Sequence, residues 1–266
     1  MELTTRDDEV LADPESENYA KGTNEQIEEQ YKRIHSDLGY LLDMLEHLNS
    51  YGVLYKDLTI SRATVATVSI SWTTLFIEGI KSEGYSGTVD ITASGAGGLD
   101  TGAEAVSTWY YIWAIQGESG VSCLLSASHT DPTMPTGYTK KKLISAVYND
   151  GAGDFRVFYQ EGNYINYGAY LMFLNAGTAG ATTEVDSSAY FPENTRDLDV
   201  MYYQTAAVVV TTIYGYMNGG YRFQAYPYSS GGGLQEKVTI ASVNRKVAYD
   251  TTGTLYLYAC GFWFMI

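Results

Sequence analysis

Two pairs of aspartates come closest to a catalytic or metal-binding pattern in this sequence. Asp197 and Asp199 alternate along a strand-like segment and would face the same side of it, and Asp150 and Asp154 flank a short glycine-containing turn. Paired carboxylates can bind Ca²⁺, or can serve a glycosidase when they lie about 5 to 9.5 Å apart. Short acidic turns are more often solvated hairpins, so we predict no catalytic residue, no metal site and no cofactor.

Other motifs of catalysis are missing or incomplete. The sequence contains no HExxH, GxSxG or P-loop pattern, and a Ser-His-Asp arrangement would have to use His129, because the other two histidines lie in a helix-like N-terminal segment. Gly95, Gly97 and Gly98 resemble the beginning of a phosphate-binding loop, but no helix follows to supply an N-terminal dipole. We therefore predict a plain turn at these glycines and a protein that is not an enzyme.

Tyrosine is abundant, with 25 residues, and it suits contact surfaces. Its ring buries apolar area while its hydroxyl group stays hydrated, which is typical of protein interfaces and of sugar-binding surfaces. Strands also favour tyrosine, so part of the set belongs to the fold alone. We favour an interface over a glycan platform. The candidate receptor or interface aromatics are Tyr214, Tyr216, Tyr221, Tyr226 and Tyr228, and Tyr110 and Tyr111 share their features.

The charge balance and the cysteines limit the function classes further. Among 266 residues, 16 are basic and 31 are acidic, and the net charge of -15 repels phosphate backbones and anionic lipids. We therefore expect no nucleic-acid partner. The sequence has no long apolar stretch and no secretion signal, so we expect synthesis in a cytoplasm and no membrane insertion.

Cys123 and Cys260 lie in apolar, strand-like surroundings and are predicted to be small buried residues.

Residues 53–266 are predicted to form a β-rich head. From Leu58 onward apolar residues recur with a period of two, in segments that are separated by turn formers and not by helices. This pattern predicts a mainly β fold, an antiparallel β-sandwich that is jelly-roll-like in its topology. One continuous strand-like run extends from Val200 to Met217.

The last segment of the head, from Thr254, is apolar on both alternating faces. A strand without a polar face must be covered on both sides, so we expect this one to be central, with one face on the core and the other against a neighbouring subunit. Strict alternation assigns Leu255, Leu257 and Trp263 to one face, and Tyr256, Tyr258, Phe262, Phe264 and Ile266 to the other.

Residues 23–52 are predicted to form a coiled-coil helix. Seven apolar residues recur at alternating steps of four and three, which places them on one narrow seam of a helix. Isoleucine at two d positions disfavours a dimer, so we expect a parallel homotrimer. An amphipathic helix that packs on its own β-domain is the alternative. The seam residues are Ile27, Tyr31, Ile34, Leu38, Leu41, Leu45 and Leu48.

Residues 1–22 form an acidic N-terminal arm, with seven acidic side chains against two basic ones. A free segment of this composition cannot bury enough apolar surface to fold alone. We therefore expect this extended arm to dock on another protein of a larger assembly. The alternative is an arm that folds back along its own trimer.

A group of short motifs within the head carries a resemblance to a known class of proteins. The motifs are LDTG at residues 99–102, TWYY at 108–111, LLS at 124–126 and PTGYT at 135–139, followed by a hairpin at Asn149-Asp150-Gly151. This spacing resembles a segment of tail-fibre and other fibre-like virion proteins of tailed bacteriophages, in which LLS forms a turn. The resemblance implies a structural virion component, usually a trimer, on either the tail or the capsid.

These observations together predict a homotrimeric virion protein made in the bacterial host cytoplasm. Residues 1–22 would attach it to tail, portal-adaptor or capsid proteins of the particle, and the head would aid host attachment as part of a tail fibre. Three linked heads would gain avidity for a host surface glycan or protein. A capsid-surface head fibre or decoration protein and a polysaccharide-degrading tailspike are the alternatives.

Overall fold

The structure is a computed structural model, and it describes residues 28–32, 55–204, 209–217, 220–225, 228–229, 234–241 and 245–266. The chain divides into two units, Met1–Val53 and Leu54–Ile266. In the first unit residues 28–32 are helical, and Tyr31 is 64% exposed. The other six seam residues and the acidic arm of residues 1–22 lie outside the described residues. No helix of the described part is long and apolar enough to cross a membrane.

The second unit is mainly β with antiparallel sheets, as predicted, and the sheets curl into a half-barrel. The largest sheet is built from β1 (Tyr55–Lys56), β2 (Thr59–Arg62), β3 (Thr67–Ile77), β4 (Ile80–Asp90), β8 (Phe158–Glu161), β9 (Tyr164–Gly177), β11 (Thr195–Gln204), β15 (Leu234–Ala241) and β17 (Leu255–Phe264). Its order is β1-β3-β2-β8-β9-β17-β11-β15, and β4 pairs with β3.

Two smaller sheets complete this unit. One has the order β10-β16-β12-β13, with β14 paired to β12, and consists of β10 (Thr183–Val185), β12 (Val209–Met217), β13 (Gly220–Ala225), β14 (Tyr228–Ser229) and β16 (Val247–Thr251). The other has the order β6-β5-β7 and consists of β5 (Thr108–Gly117), β6 (Gly120–Ser126) and β7 (Tyr138–Asn149). The single run predicted from Val200 to Met217 is therefore wrong, because its halves pair in different sheets.

Strand β5 shows why a continuous apolar run becomes a strand here. It is the middle strand of its sheet, and Trp109 through Ile115 are buried on both of its faces. By contrast, β3 alternates, with Val68 and Ile70 buried and Ser69 and Ser71 turned to the other face. A strand that is covered on both sides has no position left for a polar side chain.

Strand β17 is central, as predicted, since it pairs with both β9 and β11. The predicted alternation of its side chains is wrong after Ala259. A register shift between Ala259 and Gly261 moves Phe262 and Phe264 to the buried face that also carries Leu257. Glycine is required at the shift, because a Cβ at Gly261 would lie 2.3 Å from the carbonyl oxygen of Ile165.

An aromatic cluster around Phe262 joins two of the sheets. The Phe262 ring centroid lies 6.3 Å from that of Trp109 in β5, 5.9 Å from that of Tyr167 in β9 and 6.2 Å from that of Phe191. Phe264 lies 6.3 Å away in the same strand. Edge-to-face ring contacts of this kind add stabilisation beyond the burial of apolar area.

Both cysteines are buried thiols, as the sequence predicted. Burial raises the pKa of the Cys123 thiol to about 12, so its thiolate form is suppressed at neutral pH. Cys260 follows Tyr258 in β17 and is also shielded from solvent. Neither thiol has the exposure that a redox-sensing or nucleophilic cysteine needs.

Strand β4 forms an outer edge of the largest sheet, where it pairs as a strand with β3 alone among the described strands. Lys81 and Glu83 on this edge form an exposed ion pair with an N–O distance of 2.8 Å. Gly84, the next residue, has φ +60°, a left-handed conformation that interrupts the extended backbone.

We predict that Phe262→Ala lowers the free energy of unfolding by about 3–5 kcal/mol, because it leaves a cavity at the centre of the aromatic cluster. Met265→Ala is the matched control, since Met265 lies three residues further on and is 48% exposed. Urea denaturation followed by tryptophan fluorescence measures both variants. Equal destabilisation by the two substitutions would contradict the central role of Phe262.

Candidate functional site

A polar cleft of about 430 Å³ lies where the three sheets meet. Strand β10 contributes Glu184, the loop at residues 186–194 follows it, and β11 begins at Thr195. The loop after β6 contributes His129, and Met265 comes from the end of β17. The complete lining is His129, Glu184, Val185, Asp186, Ser187, Ser188, Glu193, Asn194, Thr195, Arg245, Lys246 and Met265.

Glu193 bridges two cationic or potentially cationic side chains in this cleft. Its Oε1 accepts a hydrogen bond from Arg245 Nη2 at 3.2 Å, and its Oε2 lies 3.1 Å from His129 Nδ1. The backbone N–H of Glu193 donates to the Tyr111 hydroxyl at 3.1 Å. Burial raises the pKa of Tyr111 to about 12, so the hydroxyl stays protonated. Both carboxylate oxygens of Glu193 are therefore engaged within the site.

Arg245 also fixes the loop at residues 186–194. Its Nη1 donates to the carbonyl oxygens of Ser188 and Phe191 at 3.5 Å, and its own carbonyl accepts from the Ser187 hydroxyl. Arg245 has φ +53°, which is unfavourable for a side chain with a Cβ. Asn194, at the other end of the loop, has φ +65°. Strained residues of this kind cluster at functional sites.

Side chains of the core also hold the loop at residues 186–194 in place. Trp109 Nε1 donates to the Ser188 carbonyl at 2.7 Å, and Arg156 Nη1 donates to the Ala189 carbonyl at 2.6 Å. Tyr167 donates its hydroxyl proton to the carbonyl of Tyr190. Because Trp109 and Tyr167 belong to the aromatic cluster, the wall of the cleft is positioned by the core.

The charges of the cleft are nearly balanced. Lys246 Nζ lies 3.4 Å from Glu184 Oε2 and 5.2 Å from the centre of the Tyr216 ring. Asp186 forms no ion pair with a described residue, but it accepts a hydrogen bond from the Ser188 N–H at 2.9 Å. Hydrogen bonds from Ser188 lower the pKa of Asp186, so its carboxylate is ionised at neutral pH.

This arrangement suits binding better than hydrolysis. The Ser187 hydroxyl donates to the Arg245 carbonyl and not to His129, so no nucleophile is paired with a base among the described contacts. A general acid of a glycosidase needs a raised pKa, whereas hydrogen bonds from Ser188 lower the pKa of Asp186. The described contacts of the cleft are those of fixed donors and acceptors.

Of the candidate aromatics, the structure brings Tyr216 to the rim of the cleft through Lys246. Tyr214 lies in the same strand and donates its hydroxyl proton to Asp250 Oδ2 at 2.5 Å. Tyr221 and Tyr228 belong to β13 and β14, but their side chains, like all of Tyr226, lie outside the described residues.

Tyr110 and Tyr111 are core residues, whereas Tyr214 and Tyr216 are half-buried. Both are buried, and the Tyr110 hydroxyl accepts a hydrogen bond from the Ala105 N–H at 2.7 Å. Their ring faces are covered by the fold. Neither is therefore open to a receptor.

The two aspartate pairs have structural partners of their own. Asp150 Oδ1 accepts hydrogen bonds from the N–H groups of Ala152 and Asp154 at 2.8 and 3.1 Å, which lower the Asp150 pKa. Asp199 accepts from the Tyr164 hydroxyl at 2.6 Å, and Asp197 lies 2.6 Å from Arg196 Nε. The described residues include no group of three or more His, Cys, Asp or Glu side chains that could hold a metal ion.

A shallower groove of about 240 Å³ lies on the outward face of β2, β3 and β4. Its hydroxyl side chains form two rows across the strands, and the half-exposed ring of Tyr159 lies at one edge. The rows are Thr59, Ser71 and Ser86, and Ser61, Ser69 and Thr88. This groove has no charged lining residue, so the cleft is the stronger candidate.

The four motifs that carry the resemblance come together in one module of the fold. Leu99 forms an isolated bridge with Leu125, and the Asp100 N–H donates to the Leu125 carbonyl at 2.8 Å. Asp100 Oδ2 accepts from the Thr133 N–H at 2.8 Å, just before the PTGYT motif. The expected LLS turn is wrong, because these residues end β6, and Leu124 and Leu125 are buried there.

No protein-family model matches the chain, and a search of curated proteins finds no match. The sequence offered His129 only as the histidine of a Ser-His-Asp arrangement that we did not favour, and it gave no signal for Asp186, Glu193 or Arg245. No local spacing signals these residues, since the sheets bring them together from distant parts of the chain.

We predict that Arg245→Ala lowers the free energy of unfolding by about 1–2 kcal/mol, because the 186–194 loop loses its ion pair and two carbonyl contacts. Lys140→Ala is the control, since it breaks only the exposed Lys140–Glu78 pair, and it should cost less than about 0.5 kcal/mol. Urea denaturation curves compare the two. An Arg245→Ala cost no larger than the control would show that the loop does not depend on Arg245.

Proposed function

We propose that the chain is a non-enzymatic structural protein of a tailed-bacteriophage virion. In this proposal three copies form a fibre with a coiled-coil stem at residues 23–52 and an antiparallel β-sandwich head, jelly-roll-like in topology. Residues 1–22 dock on proteins of the particle. The protein is made in the bacterial host cytoplasm and resides in the virion, where the head aids host attachment as part of a tail fibre.

The observation that carries the proposal is the module at residues 99–139. Motifs that lie as much as 40 residues apart along the chain contact one another through β5, β6 and the Leu99–Leu125 bridge. A shared structural unit explains why a pattern of this length would recur in fibre-like proteins. The module contains buried aromatic and aliphatic side chains and turn residues, which is the composition of a scaffold.

The geometry of the cleft favours attachment over the tailspike alternative. A polysaccharide-degrading enzyme needs a proton donor with a raised pKa, whereas the pKa of Asp186 in the cleft is lowered. Capsid attachment as a head fibre or decoration protein remains the alternative position. The sequence resemblance fits either place on the particle.

The trimeric stem predicts a mass of three chains, each of 29.3 kDa, for the full-length protein in dilute buffer. Leu38→Glu with Leu41→Glu should give single chains, because two charges on each seam prevent close packing. Arg33→Glu with Ser36→Glu adds two acidic side chains off the seam and should leave the mass unchanged. Multi-angle light scattering measures all three proteins. A single-chain mass for the unmodified protein would refute the fibre.

The attachment role predicts that the full-length protein, added to host cells first, reduces adsorption of the phage whose genome encodes it. The seam variant should compete at least about tenfold less well, because single heads lose avidity. Particles of the same phage should contain the protein by mass spectrometry. Release of new reducing ends from host polysaccharide would instead establish the tailspike alternative.

A further inference from the structure

We propose that the cleft between His129, Asp186, Glu193, Arg245 and Met265 binds a neutral saccharide, one or two sugar rings in size. This inference deepens the proposed attachment function and rests on it for the source of the saccharide, a host surface glycan. The candidate aromatics alone do not define this site, because Tyr216 reaches only its rim.

The size and lining of the cleft define the class of ligand. Its volume of about 430 Å³ lies within the range of about 300–1,000 Å³ that small-molecule sites occupy. Most of its lining side chains are charged or polar, and Val185 and Met265 are the apolar ones. An apolar ligand would bury these polar groups without hydrogen-bond partners, and each such group would weaken binding. A ligand that carries hydroxyl groups at most of its positions satisfies them.

Sugar hydroxyl groups match the mixture of donors and acceptors. A hydroxyl group both donates and accepts, so one hydroxyl can bind a carboxylate while its neighbour binds a cation. Asp186 supplies acceptor oxygens to the cleft, and Arg245 and His129 supply N–H groups. Hydrogen bonds to ionised groups are the stronger kind.

The charge of the cleft favours a neutral ligand over an anionic one. Arg245 is paired with Glu193, and Lys246 is paired with Glu184, so the two cations are neutralised inside the protein. The Asp186 carboxylate forms no ion pair with a described residue, although the charge of Arg245 favours its ionised form, and it leaves the cleft with one more acidic than basic side chain, which would repel a carboxylate or phosphate of a ligand. A neutral sugar avoids this repulsion.

The cleft is built before the ligand arrives. Trp109, Arg156 and Arg245 hold the 186–194 loop through three of its carbonyl groups, those of Ser188, Ala189 and Phe191. Binding to a fixed wall avoids the entropy cost of ordering a loop. Arg245 itself is held in a left-handed conformation, with φ +53°.

Met265 provides a direct reporter of this site. The full-length protein, labelled with ¹³C at its methionine methyl groups, would be titrated with glucose, galactose, rhamnose and N-acetylglucosamine, and with N-acetylneuraminic acid as the anionic probe. Met265→Leu assigns the signal of Met265, and Met172 and Met201 serve as internal controls in the large sheet. We expect at least one neutral sugar to shift the Met265 signal selectively at millimolar concentration.

Asp186→Asn tests the role of the unpaired carboxylate, because asparagine keeps the acceptor for the Ser188 N–H. It should weaken the binding of that sugar about tenfold. Glu83→Gln on the distant edge strand β4 is the matched control and should leave the affinity unchanged. The methionine spectrum itself reports whether each variant is folded.

Two results would overturn the inference: a Met265 signal that no neutral sugar moves up to about 50 mM, or one that the anionic probe moves equally. Failure of the proposed function gives a different result. If the protein blocks phage adsorption while Met265 stays silent, attachment uses another surface and this inference alone is wrong. If Met265 responds but the protein is not part of a virion, the sugar site stands and the proposed function is wrong.

Discussion

The packing of Phe262 is the interaction on which the rest of the head depends. Its ring brings the three-stranded sheet, through Trp109, against the large sheet, and it comes from the last strand of the chain. The central position of this strand means that the large sheet is complete only when β17 has paired with both β9 and β11. Pairings between distant parts of a chain are slow to form, because the loop between them must first be closed.

The class of fold follows from the sequence, but the details of register do not. Apolar periodicity was enough to identify the β head and the central position of β17. It failed at Gly261, where an irregular register moves Phe262 and Phe264 to the other face. It also merged β11 and β12, because an apolar run does not show where the chain leaves one sheet for another. Such shifts depend on the neighbouring strands.

Sequence patterns could not predict the cleft either, because its geometry also depends on how distant segments of the chain pair. His129, Glu193 and Arg245 occupy loops of three different parts of the chain, and only the pairing of the sheets sets their distances. Each residue type is ordinary in a surface loop. Only the structure reveals the site. Glu193 bridges Arg245 and His129, Arg245 has a left-handed φ, and Trp109 holds the 186–194 loop to the core. The aromatic cluster thus supports the 186–194 loop, and the loop forms a polar wall of the cleft. This arrangement is consistent with the attachment role we propose.

The outer strand β4 has a consequence for how copies of this protein can coexist. Exposed backbone groups at the edge of a sheet are a template for pairing with another chain, and crowding strengthens that tendency. The charges of Lys81 and Glu83 and the kink at Gly84 make this edge a poor template. A second copy of this chain would therefore find a poor partner for strand pairing along β4.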